Sequence, residues 1–220
     1  MLQQEQTIDT SHGKLSATLI ETEAATHLLL LAHGAGADHK HAHMQSLAEA
    51  FANQSIATYR FNFPFKEAGR NRVDSKDIST TCIAEVAQQL KADHACPLLI
   101  GGHSFGGRMA THAIAEGLVS CEAMILCAFP LHPAGKPSVA RAQHLQDVST
   151  PMLFLSGTRD KLADPELMSN EIDKLSAAHK LHWLDTGDHS YKILKRSRSV
   201  EVDIYTEAAQ AARAFIDSIG

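Results

Sequence analysis

The sequence predicts one α/β domain, with a mostly parallel, twisted sheet of about seven to eight strands and helices on both faces. Three observations carry this. Continuous apolar runs of strand length, such as Leu28 to Ala32, read as strands buried on both faces. Between these runs lie segments whose apolar residues recur at spacings of three and four, as on amphipathic helices. No linker or internal repeat divides the 220 residues, so the domain spans 1–220.

The elements follow in order. Glu5 to Thr10 and Lys14 to Ile20 flank the turn Ser11-His12-Gly13, a hairpin in which Gly13 can take a positive φ. The strand Leu28 to Ala32 precedes a helix marked by Met44, Leu47, Ala48 and Phe51. Ile56 to Phe61 is the next strand, and Ile78, Cys82, Val86 and Leu90 mark the next helix. Pro97 to Ile100 is a strand, followed by a helix with Met109, Ala110, Ala113 and Ile114 on one face. Ala123 to Cys127 is a strand, and Ala128 to Thr150 is a loop holding one short helix near Val139 to Leu145. After the strand Met152 to Leu155, Asp164-Pro165-Glu166 has helix-start chemistry, with a capping carboxylate and proline at the first helical position. Met168, Ile172 and Leu175 continue that helix. Leu181 to Leu184 is a short strand, and Ile204, Ala208, Ala211 and Phe215 mark the last helix.

Composition excludes several classes. Apolar residues are 44% and charged residues 20%, which is neither disordered, collagen-like nor coiled-coil. No stretch approaches the roughly 18 apolar residues of a membrane span. A net charge of -5 argues against nucleic acid as a partner. The four cysteines, Cys82, Cys96, Cys121 and Cys127, form no CxxC pair, and the start MLQQEQTIDTS has no signal-peptide pattern. Both point to a reducing, cytoplasmic setting with free buried thiols.

The chemistry-bearing segment is GGHSFGG, residues 101 to 107. It holds G-x-S-x-G, follows a predicted strand and opens a predicted helix, the context this motif requires. An abrupt strand-to-helix turn strains one residue at its apex and exposes its side chain. Glycines on either side remove clashes, so Ser104 stands at the carboxyl edge of the sheet. A serine hydroxyl needs a base, and the base needs an orienting carboxylate. Asp160 follows the strand Met152 to Ser156, and His189 follows Leu181 to Leu184, each just past a strand's carboxyl end. Asp164 competes with Asp160 but is assigned to helix capping. An oxyanion hole takes the backbone N–H of Phe105 and a second donor from His33-Gly34-Ala35-Gly36-Ala37, with Ala35 favoured and Gly34 the alternative.

The segments HGAG, GHSFGG, SGTRD and GDHS together resemble a serine α/β-hydrolase over nearly the whole chain. LAHGAGADHKH, YRFNFPF, CAFPLHPAGKP and HWLDTGDHS most resemble the branch that includes testis-expressed protein thirty and the NSL-complex regulatory subunit three. Dienelactone-hydrolase-like enzymes are next. The resemblance implies an α/β-hydrolase fold, with Ser104, Asp160 and His189 as nucleophile, acid and base. The branch includes a chromatin-complex member, so an interaction module with a vestigial site is the second functional class.

Of 14 histidines, His33, His39, His41 and His43 cluster near the first catalytic loop. His39 and His43 at i, i+4 could share a helix face, but no third ligand stands nearby, so no metal and no cofactor are expected. These histidines rim the site or cap a helix. His103 packs or hydrogen-bonds within the elbow. Arg60, Lys66, Arg70 and Arg72, then Arg108, then Lys192, Lys195, Arg196 and Arg198 fall on loops of the same sheet edge. Arg60, Arg108 and His33 are therefore candidate substrate contacts. The partner is a small-molecule ester, with an anionic ester one class these cations allow. The loop Ala128 to Thr150 is too short for a cap domain, so the site should be open and suit small esters.

Overall fold

The run Leu28-Leu29-Leu30-Leu31 accounts for the centre of the molecule, because alternate residues of a strand face opposite sides. In the computed structural model, which describes residues 1–220, this run lies in β3 (His27–Ala32). Leu28 and Leu30 enter one apolar core, and Leu29 and Leu31 enter the other. All four are at most 2% exposed. Burial of each side chain contributes roughly 1.5–3 kcal/mol.

The other strands are β1 (Leu2–Thr10), β2 (Gly13–Glu21), β4 (Ile56–Phe61), β5 (Leu98–His103), β6 (Ala123–Cys127), β7 (Met152–Gly157) and β8 (His179–Leu184). They join one sheet in the order β1-β2-β4-β3-β5-β6-β7-β8. The β1–β2 and β2–β4 pairs are antiparallel, and the remaining pairs are parallel. The hairpin turn places Gly13 at φ 103°, as its sequence anticipates.

The helices are α1 (Ala42–Ala52), α2 (Pro64–Glu67), α3 (Lys76–Asp93), α4 (Phe105–Ala115), α5 (Pro165–Ile172) and α6 (Ile204–Ile219). Met44 and Leu47 of α1 and Ala208, Ala212 and Phe215 of α6 fill one core. Cys82 and Val86 of α3, Met109 and Ala113 of α4, and Met168 and Ile172 of α5 fill the other. The sheet is thus covered on both faces, as the strand runs predict.

Departures from the sequence reading are local. β5 runs on to His103 and β8 begins at His179, both longer than their apolar runs. The helix α2 is additional, and the helix expected near Val139 to Leu145 is a 3-10 turn at Gln143–Asp147. That turn is the only regular element between β6 and β7, so no cap domain covers the carboxyl edge.

Candidate active site

The elbow follows from close packing of glycine. A methyl group on Gly102 would lie 2.4 Å from the Ala32 carbonyl oxygen, and one on Gly106 2.3 Å from the same atom. Only side-chain-free residues let the start of α4 press onto β3 and β5. Ser104, at the apex, takes φ 51° and ψ -113°. A non-glycine residue held at such a φ costs on the order of 1–3 kcal/mol and persists where the surroundings over-determine it. The surroundings do so: the Ser104 amide donates to the Cys127 carbonyl at 2.9 Å, and the Ser104 carbonyl accepts from the Arg108 amide at 3.0 Å.

Ser104 Oγ lies 2.8 Å from His189 Nε2. His189 Nδ1 lies 2.8 Å from Asp160 Oδ2. The Asp160 carboxylate is an acceptor, so Nδ1 carries the proton and Nε2 is left to accept from the Ser104 hydroxyl. The Asp160 side chain is shut off from solvent, whereas the His189 side chain is 25% exposed. Oδ1 of Asp160 accepts from the Leu162 amide at 2.8 Å, which fixes the carboxylate plane. Asp164 caps α5 through the Leu167 amide instead, and its own amide donates to His132 Nε2.

The loops bearing Asp160 and His189 are sewn together. A methyl on Gly157 would lie 2.3 Å from the Gly187 carbonyl oxygen, so the strand ends touch through bare backbone. Across that contact, the Arg159 amide donates to Gly187 O, the Thr186 amide to Thr158 Oγ1, and Arg159 Nη1 to Thr186 O. Tyr191 donates from below to the Leu155 carbonyl at 2.9 Å. His103 Nε2 donates to the His189 carbonyl at 2.8 Å, which ties the residue before the serine to the residue it must meet.

The loop after β3 closes the other side. A methyl on Gly34 would come within 3.6 Å of Ser104 Cβ, so this loop lies beside the serine. The Ala35 amide has no protein acceptor. Phe105, first residue of α4, likewise has none, as expected at a helix N-terminus. His33 sets the loop's shape from behind. Its Nδ1 donates to the Gly34 carbonyl at 2.8 Å, and its Nε2 accepts from the Phe63 amide at 3.1 Å. Burial lowers the His33 pKa to about 4, so the ring stays neutral and keeps that tautomer.

Two of the candidate substrate contacts are elsewhere. His33 is 0% exposed and walled by Phe63 and Phe65, so it supports the loop and reaches no ligand. Arg60 lies within β4 and is 1% exposed, its guanidinium donating to the His39 carbonyl and Gln45 Oε1. The fold of the segment before α1 over β4 turns this residue inward. Arg108 is half-buried on the first turn of α4. His39 precedes α1 and bonds Asn62, so it shares no helix face with His43. His41 caps α1 through the His43 amide and also faces the serine, matching the expected rim position.

Ser104 and His189 open into a cleft of about 360 Å³ walled by the Gly34–Ala37 loop, His41, His43 and His103. Burial, with His103 beside it, lowers the His43 pKa to about 3, and burial lowers that of His103 to about 4. The His43 and His103 imidazoles in its wall are therefore neutral at neutral pH. A larger hollow, about 570 Å³, lies at the opposite edge of the sheet among Leu2, Leu28, His94 and Cys96, and no hydrogen-bonded nucleophile and base meet there.

A mostly parallel sheet covered on both faces, with a strained serine elbow at its carboxyl edge, defines an α/β-hydrolase fold. The family described as "Alpha/beta hydrolase domain" matches residues 25–217, and the chain belongs to that family. Solved structures share the architecture. XC6422 from Xanthomonas campestris, an α/β serine hydrolase without a lid, is 19% identical with a TM-score of 0.76, covering 98% of this chain and 94% of its own. A dienelactone hydrolase from Anabaena variabilis is 20% identical with a TM-score of 0.74, covering 98% of each chain. Est1E from Butyrivibrio proteoclasticus, solved with ferulic acid, is 17% identical with a TM-score of 0.78, covering 97% of this chain and 99% of its own.

Proposed function

We propose that this protein is a serine hydrolase that cleaves a small carboxylic ester or thioester. The observation that carries the reading is the unbroken hydrogen-bond line from Ser104 Oγ through His189 to the buried carboxylate of Asp160. Ser104 Oγ attacks the carbonyl carbon while its proton passes to His189 Nε2. The Asp160 carboxylate holds the imidazole tautomer and stabilises the imidazolium that forms. The amides of Phe105 and Ala35 receive the oxyanion, with the Gly34 amide as the alternative second donor. Collapse breaks the bond to the leaving oxygen or sulfur, which takes the proton from His189. Water then attacks the acyl-serine, giving its proton to the same nitrogen, and Ser104 leaves reprotonated with the carboxylic acid released.

The short β6–β7 connection and the lid-less cleft support small substrates over long acyl chains. The LAHGAGADHKH, YRFNFPF, CAFPLHPAGKP and HWLDTGDHS segments support placement in the branch with testis-expressed protein thirty and the NSL-complex regulatory subunit three. The four unpaired thiols support a reducing, cytoplasmic setting, and no helix is long and apolar enough to cross a membrane.

A fluorophosphonate probe tests the reading. Ser104 should take the adduct, and Ser104→Ala should abolish labelling and ester turnover with little change in melting temperature. An interaction module has no need of an activated hydroxyl, so absence of any adduct on the folded protein overturns the hydrolase reading in its favour.

A further inference from the structure

Buried arginine donors ordinarily find acceptors, because an unmet charged donor away from water is costly. The chain's buried and half-buried arginines are Arg60, Arg108, Arg141, Arg198 and Arg213. Arg60 donates to His39 and Gln45, Arg198 to Asp185, Val202 and Glu207, and Arg213 to Thr26 and Asp217. The Arg108 and Arg141 side chains donate to no protein atom; Arg108 Nε is shut off from solvent, as are the Nε atoms of Arg60, Arg198 and Arg213.

These two arginines stand in one corner. Arg108 lies one turn before His112 on α4, and Arg141 lies three residues before His144 in the β6–β7 connection. The connection is stapled to α4 at that level. The His112 and His144 rings stack with centroids 3.6 Å apart, and His144 Nε2 lies 2.8 Å from Thr111 Oγ1. The staple brings the turn of α4 that carries Arg108 beside the segment that carries Arg141. Burial, then the Arg141 charge, lowers the Arg108 pKa from its ordinary value, as expected of neighbouring like charges. The nearby Lys76 is already paired with Glu116. Nearby, His112 Nε2 is buried without a partner.

We propose that Arg108 and Arg141 form an anion-binding subsite for a carboxylate or phosphate group carried by the ester substrate. Such a group answers both like charges and supplies the acceptor that the protein withholds, and the planar guanidinium fork suits it. The assignment to the substrate rests on the hydrolase reading and on position. The Arg108 amide is hydrogen-bonded to the Ser104 carbonyl, one helical turn from the nucleophile. In a chain of net charge -5, a local pair of unanswered cations also offsets the repulsion that an anionic ester would meet.

Two measurements separate this subsite from the hydrolase reading. The first is melting temperature with inorganic phosphate at fixed ionic strength. Ser104→Ala should be stabilised saturably, and adding Arg108→Gln or Arg141→Gln should remove the shift while Arg108→Lys keeps part of it. The second is KM for 4-nitrophenyl hydrogen succinate against 4-nitrophenyl butyrate. The anionic ester should have a KM about tenfold lower, equivalent to about 1.4 kcal/mol. Arg108→Gln and 1 M salt should each erase that preference. Arginine-dependent phosphate binding without a succinate preference overturns the substrate assignment in favour of a free anion. Absence of both effects overturns the subsite, even if the fluorophosphonate labels Ser104. Phosphate binding without any serine adduct supports the subsite and fails the hydrolase reading alone.

Discussion

Asp160 and Asp164 have the same side chain and sit on the same loop, yet their surroundings give them separate tasks. Asp160 divides its two oxygens between His189 Nδ1 and the Leu162 amide, out of contact with solvent. Asp164 accepts from the Leu167 amide and starts α5. Asp160→Asn keeps the shape but presents an amide to Nδ1, which favours the tautomer that cannot take the serine proton. Turnover should fall by about 10⁴ in kcat, the scale of that change in a serine triad. Asp164→Asn should leave turnover nearly intact, because asparagine caps a helix about as well as aspartate. Ester kinetics on the two purified variants decide between them, and the reverse ranking would make Asp164 the acid. The sequence distinguishes these two aspartates through Pro165, which marks Asp164 as the residue before a helix, and through the turn after Gly157 that places Asp160 just past the strand end.

At the scale of elements, legibility depends on whether a signal is local. β3 and β6 are apolar runs with clear ends, and their bounds can be read closely from the chain. The helix α2 is a single turn with no room for periodicity, so its sequence resembles a loop. The serine elbow is a local pattern, and so is the glycine-rich loop after β3. The bonds that hold the His189 loop are not local: His103 to His189 spans 86 residues and Tyr191 to Leu155 spans 36. Arg60 shows the opposite error. Its place at a strand end suggests a rim cation, and only the chain crossing before α1 buries it against His39 and Gln45. The β6–β7 connection makes its own prediction. It holds one 3-10 turn and no lid, so nothing encloses a long acyl chain. Among 4-nitrophenyl esters, kcat/KM should peak at acetate to butyrate and fall at least tenfold by dodecanoate. A maximum at dodecanoate would require a covering segment where the structure leaves the cleft open.

Across the whole molecule, neutral histidines are built into the walls on both faces of the sheet, and this couples the fold to pH. Burial lowers the pKa of His33 and His103 to about 4, and that of His43 and His144 to about 3. Unfolding returns each ring to water, where its pKa is near 6.5. Between pH 6.5 and about 4 the unfolded chain therefore binds protons that the native protein does not. Stability falls as pH falls through that window and is fully present above it. Each such ring adds about 1.4 kcal/mol per pH unit to the slope once the unfolded form is protonated and the native form is not. Carboxylates held below their usual range, such as Glu67 and Asp203, act in the same direction but chiefly below pH 5. The interval from pH 6 to pH 5 isolates the histidines. Urea unfolding at several pH values across it should give a steep positive dependence of stability on pH. His43→Gln should reduce that dependence by about one proton whatever its effect on absolute stability, since glutamine keeps a polar partner for Tyr205 and does not titrate. An unchanged slope would mean that His43 is protonated within the fold. The serine would then face a charged cleft wall, which would draw an anionic ester toward the α1 side and away from Arg108.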